Sequence, residues 1–220
     1  MRPRSWALTA VAVLLVLAGG AFAVLGSGFF APGPVTPPAA VAATSEPATS
    51  RTSPASPANR PTAGASTPAG DPVRVRVVSR SGAQLVDATL DPAHLDTAQV
   101  LAPDPGSAGW YAEAGWPRPG FPGSSVLVGH VSWNGTPDVF WELPRVRPGD
   151  HVVVGYSSGD RVRFTVTRSA GESKQAVPRD RSIWQADATE PELRLITCDP
   201  ATPVVGGHFE GNWVVWARLG

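Results

Sequence analysis

A single cysteine, Cys198, stands in the 220 residues, so no internal disulfide can staple this chain. Charge is equally sparse. Lys and Arg total 18, Asp and Glu total 18, and the net charge is zero, so nothing in the balance points to nucleic acid. His, Cys, Asp and Glu nowhere recur at metal-ligand spacing, and no dense run of carboxylates suits calcium; no cofactor is expected. Long apolar runs are also missing, with one exception at the N-terminus.

That exception covers residues 6–25, which carry no charge and follow Arg2 and Arg4. About 20 apolar residues suffice to cross a bilayer as a helix. The preceding arginines place residues 1–5 in the cytoplasm and export the rest. The same run, ending near Ala21-Phe22-Ala23, also fits a cleaved secretory signal. The reading adopted is a signal anchor, which makes the protein a single-pass membrane protein with its domain outside the cytoplasm. Residues 26–72 are mostly Pro, Ala, Ser and Thr, with no periodic apolar pattern from residue 31 onward. Such a segment buries too little surface to offset its ordering entropy, so it reads as a disordered, extended spacer.

Residues 73–220 have the size of one domain. Short apolar runs separated by turn residues predict strands over 73–80, 83–90, 124–129, 151–156, 161–167, 193–197 and 213–219. Ser157-Ser158-Gly159-Asp160 reads as a hairpin loop between two of them. One short helix is expected over 137–143, with Asp138 near its start. Many short strands with little helix mean an all-β barrel or sandwich. The tryptophans fit core packing, although Trp110, Trp116 and Trp133 sit in loops near one strand and are also placed to line a groove, with the Pro-rich loop 117–122 as one of its walls.

Two strands end on chemistry. Residues 124–130 run Ser-Ser-Val-Leu-Val-Gly-His and stop at His130; Leu193-Arg194-Leu195-Ile196-Thr197-Cys198 stops at Cys198, where Asp199-Pro200 breaks the strand. A lone cysteine is otherwise a small buried hydrophobe. A Cys and a His at two strand ends form the minimum kit for thiol catalysis. His precedes Cys, which excludes the papain order. His94 and His151 read as solvated surface histidines, Lys174 as a solvated charge, and Glu142 and Asp150 as helix and turn residues.

Val128-Gly129-His130-Val131-Ser132-Trp133, Leu195-Ile196-Thr197-Cys198 and Asn212-Trp213-Val214-Val215-Trp216-Ala217 together resemble the sortases, the cysteine transpeptidases of Gram-positive cell envelopes, and look closest to class F of actinobacteria. Phe140-Trp141-Glu142-Leu143 and Arg147-Pro148-Gly149-Asp150 add lesser matches, and the resemblance spans about residues 73–220. It implies a closed β-barrel of about eight strands with one or two short helices. It also implies Cys198 as nucleophile, His130 as proton donor and acceptor, and an acyl-thioester formed on a C-terminal sorting signal, usually of the Leu-Pro-x-Thr-Gly type. The acceptor would be an amine, such as that of a peptidoglycan precursor, or water. The family's third residue is an arginine between the Cys and the last strand, or at that strand's start. Residues 199–212 contain no Arg or Lys, and alignment puts Glu210 at the expected position. Arg218 lies six residues past Asn212, about 20 Å along a strand, too far to substitute. His208, Asn212 and Thr197 remain as local donors, with Arg118, Arg179 and Arg181 as loop residues of unknown placement. Two rivals follow: a weak or inactive sortase-like envelope binding module, and an L,D-transpeptidase, whose Ser-x-Gly-Cys-type loop Leu-Ile-Thr-Cys does not match.

Overall fold

The computed structural model describes residues 67–220. Residues 1–5, the apolar run 6–25 and the spacer up to residue 66 lie outside the described residues. Among the described residues no helix is long and apolar enough to cross a membrane.

Among the described residues twelve strands follow in order: β1 (Pro72–Val78), β2 (Gln84–Ala93), β3 (Ala108–Tyr111), β4 (Gly123–Gly129), β5 (Ser132–Trp133), β6 (Thr136–Pro137), β7 (His151–Tyr156), β8 (Arg161–Ser173), β9 (Pro191–Cys198), β10 (Val204–Val205), β11 (His208–Phe209) and β12 (Gly211–Leu219). Eight of them close a barrel in the order β1-β2-β3-β4-β9-β12-β8-β7, while β5 with β6 and β10 with β11 make two small ribbons. Two neighbouring pairs, β2 with β3 and β4 with β9, run parallel. Parallel neighbours require long crossovers, and the β4-to-β9 crossover passes through β7 and β8 on the far side of the barrel. β3 has no counterpart among the sequence-based expectations, because four residues are too short for a periodic signal.

Alternation along each strand sorts the core into two layers. Val75, Leu127, Phe164, Leu193, Leu195 and Val215 fill the barrel interior. Val126, Val128, Ile196, Val214 and Trp216 point outward from β4, β9 and β12, yet are buried under Leu101, Tyr111, Val177 and Ile183 from the connecting segments. Every residue of β4 is therefore buried. Tyr111, Trp116 and Trp184 meet edge to face in this cover, with centroids 5.1 to 5.8 Å apart, each pair adding about 0.5–1.5 kcal/mol beyond its area. Trp116 and Trp110 thus serve packing.

Several local expectations change. The helix expected over 137–143 does not form. Thr136–Pro137 pairs with Ser132–Trp133, and a single 3₁₀ turn occupies Leu143–Arg145, with a second at Val177–Arg179. Pro144 in the first turn and Pro148 just beyond leave too few N–H donors for a longer helix. Asp150 is a buried turn staple, accepting from the N–H of Arg80 at 2.9 Å and of Arg147 at 2.8 Å. His151 is half-buried in β7, with Nδ1 shielded from solvent, whereas His94 is exposed beside Glu113. The end of the spacer rests on the barrel: Ala69 N–H donates to Asp160 and Asp71 N–H to Ser157 Oγ. Loop 117–122 forms no wall near His130. It precedes β4, so it closes the opposite end, where Tyr156 donates to the Pro119 carbonyl and Arg118 to that of Gly70.

Candidate active site

The parallel β4–β9 ladder runs from Gly123 opposite Pro191 to Val128 opposite Ile196. Two residues further on, β9 reaches Cys198, while β4 ends at Gly129 and leads directly into His130, so the register brings the two alongside each other. Adjacent strands lie about 4.8 Å apart. Both residues continue the outward-facing set of Val126, Val128 and Ile196, and both are buried, at 3% and 2% exposure.

His130 is held from several sides. Its Nε2 lies 3.0 Å from the Pro103 carbonyl oxygen, which only accepts, so Nε2 carries the proton and Nδ1 is the free acceptor of the neutral ring. Trp133 packs on the ring at 4.9 Å between centroids. The His130 carbonyl accepts from Phe140 N–H at 3.0 Å, and the Asp138 carboxylate ties the loops together by accepting from Gly106 and Val139 N–H. Burial pushes the imidazole pKa below the ordinary 6.5, opposed by the Pro103 carbonyl and by the charges of Asp138 and Asp104. At neutral pH the ring is therefore neutral and able to take a proton. Gly129 has a steric reason to be glycine, since a Cβ there would lie 2.6 Å from the Phe140 ring.

Cys198 ends β9 under Val131 and Phe209. Asp199 turns the chain by accepting from Ala201 N–H on its carboxylate and from Thr202 on its carbonyl. The chain then makes the β10–β11 hairpin, whose two turn residues, Gly206 and Gly207, both take positive φ (59° and 84°) that favours glycine. This hairpin carries Phe209 over the thiol.

The remaining candidate residues separate sharply. Asn212 pairs directly with Cys198 across the β9–β12 ladder. It is fully buried, and neither Oδ1 nor Nδ2 has a hydrogen-bond partner. Thr197 pairs with Trp213 and alternates to the barrel interior, away from the Cys198 face. His208 is half-buried in the hairpin opposite Val205. Glu210 is not the residue opposite Cys198: its N–H donates to Pro203, and its side chain lines an open cavity of about 500 Å³ with Glu172, Asp199 and Thr202. Arg218 binds Glu192 at the far end of the barrel, consistent with the distance argued from sequence, and Arg118 is equally remote. Lys174 Nζ is shielded from solvent with no hydrogen-bond partner, not a solvated charge. Among the described residues no His, Cys, Asp or Glu cluster is placed to hold a metal.

Pro103, Val131 and Phe209 were not readable as site residues. Pro103 contributes a backbone carbonyl from a remote loop, which leaves no side-chain signature.

A closed β-barrel with a cysteine and a histidine side by side at the ends of parallel strands has the layout of a thiol enzyme. The sortase-domain family model matches residues 80–220, and the chain belongs to the sortase family. Among solved structures it is similar to sortase A from Corynebacterium diphtheriae (20% identity, 69% of this chain and 62% of that one, TM-score 0.45). It is also similar to sortase C-1 from Actinomyces oris (23%, 68% and 75%, TM-score 0.46) and to sortase C2 of Group B Streptococcus pilus island 1 (17%, 70% and 77%, TM-score 0.48). The chain thus spans 62% of the length of the Corynebacterium protein. No curated protein matches it.

Proposed function

We propose that this chain is an extracytoplasmic cysteine transpeptidase of the class F type, anchored by residues 6–25 and displayed on the spacer 26–72. The observation that carries the reading is the β4–β9 register, which sets His130 beside Cys198. His130 Nδ1 takes the thiol proton, and the thiolate attacks the carbonyl carbon of a sorting-signal peptide bond. The C–N bond breaks as imidazolium returns the proton to the leaving amine, which leaves a thioester on Sγ. An acceptor amine then attacks the thioester and gives its proton to His130. The C–S bond breaks and imidazolium returns that proton to the departing thiolate, which restores the thiol and the neutral ring; water in place of the amine gives hydrolysis. The acceptor is an envelope amine such as that of a peptidoglycan precursor.

The test is intact-mass analysis of the full chain with a panel of sorting-signal peptides. A thioester adduct on Cys198 that is absent in Cys198→Ala and falls sharply in His130→Ala is expected. No adduct with any peptide, while the thiol still reacts with a small alkylating agent, would sink the enzymatic reading. That result would favour a peptide-binding envelope module, a reading that the neutral Asn212 opposite the cysteine supports.

A further inference from the structure

The transition state for attack by Cys198 places negative charge on the carbonyl oxygen, and a donor about 2.7–3.1 Å from that oxygen is what lowers the barrier. Among the described residues two cations lie near the Cys198 face at the start of β12: Arg168, already paired with Glu172, and Lys174, just past β8 beside Glu210, but neither stands opposite Cys198. Arg218 and Arg118 lie at the far end of the barrel, and Thr197 points into its interior. Asn212 is different. It is the cross-strand partner of Cys198, so the two side chains share a face with Cβ atoms about 4.5–5.5 Å apart. Its amide is fully buried, and both polar atoms lack partners.

A buried carboxamide with nothing bonded to either end is costly to the fold, and such groups in native proteins call for an explanation. One donor and one acceptor side by side complement the C=O and N–H of a peptide backbone. The next residue across the sheet is Glu172 on β8, whose carboxylate is already paired with Arg168. The row therefore runs thiol, neutral amide, neutralised carboxylate.

We propose that Asn212 is a catalytic residue, whose Nδ2 donates to the substrate carbonyl oxygen during attack by Cys198, while Oδ1 accepts from a neighbouring substrate N–H. The substrate class is an extended peptide, and the donor is neutral where the family resemblance leads one to expect an arginine. This rests on the transpeptidase reading above.

The experiment compares wild-type and Asn212→Leu full chains in three measurements. These are acylation by a sorting-signal peptide that acylates wild type, alkylation of Cys198 by iodoacetamide, and thermal unfolding. Losing one such donor should slow acylation by about 10²-fold. Alkylation, which needs no oxyanion donor, should stay within about twofold of wild type, as the same donor logic requires. Replacing an unpaired buried amide by a hydrocarbon of similar size should raise the unfolding temperature by about 2–4 °C. A purely structural asparagine would instead lower it. Asn212→Ala gives the same rate comparison if leucine prevents folding. Acylation within about threefold of wild type in these variants would overturn the proposal, as would a parallel fall of acylation and alkylation. A wild-type chain that no peptide acylates would defeat the transpeptidase reading and this one with it, and is distinguishable because it appears before any Asn212 variant is made.

Discussion

Gly129→Ala should disturb the site through packing alone. Gly129 ends β4 immediately before His130, and an added Cβ would stand 2.6 Å from two Phe140 ring carbons and 2.9 Å from a third. Favourable carbon–carbon contacts sit at about 3.5–4.0 Å, so Phe140 must move by about 1 Å. Phe140 is fully buried beside Leu143 and Val146, and its N–H holds the His130 carbonyl. The space it would need is already filled. Overpacking of this kind costs about 1–3 kcal/mol, or an unfolding temperature lower by about 2–4 °C for each kcal/mol in a domain of this size. The assay is thermal unfolding together with the iodoacetamide alkylation rate of Cys198. Gly129→Ala/Phe140→Leu should recover at least half of the loss, because the smaller side chain vacates the contested volume. A single variant as stable as wild type, or a double variant whose losses simply add, would refute the packing argument.

Three further outcomes follow from the same geometry. Burial lowers the His130 pKa, so between its unfolded value of 6.5 and the lower folded value the unfolded chain binds more protons. Stability is full above about pH 6.5 and is lost as pH falls through the folded value; urea titrations from pH 8 to 5 should show this slope in wild type and less of it in His130→Gln, and equal slopes would contradict the assignment. Arg194 is buried, paired with Glu192 and donating to the Ser182 and Leu193 carbonyls. Arg194→Ala should cost about 1.5–3 kcal/mol by denaturant unfolding, since it removes a charged hydrogen bond and frees the segment over the outer face while Glu192 keeps Arg218 and Ser124 as partners; a loss under about 1 kcal/mol would show the pair to be dispensable. Phe209→Ala uncovers Cys198 and should speed its alkylation several-fold with little change in unfolding temperature; an unchanged rate would mean that Val131 alone shields the thiol.

The sequence by itself determined the two strand ends that carry Cys198 and His130. An apolar run closed by Gly-His or by Cys-Asp-Pro marks a strand and its stop, and these are local properties. It likewise determined most barrel strands and the remoteness of Arg218, because rise per residue is a fixed length. It did not show barrel closure, which rested on resemblance. Closure depends on pairing between residues far apart in the chain, such as β1 with β7 and β12 with β8. It misplaced the helix near residue 140, where two prolines outweigh a weak apolar pattern, and put loop 117–122 at the wrong end, because only the parallel register of β4 and β9 says which loops share an end. The choice among Glu210, His208, Thr197 and Asn212 was also tertiary. Alternation fixes which side a residue takes, but only the β9–β12 register names Asn212 as the one facing Cys198, and only burial reveals that its amide has no partner. The Pro103 carbonyl that sets the His130 tautomer is a backbone group brought from a distant loop, a contact that no side-chain pattern in the chain records.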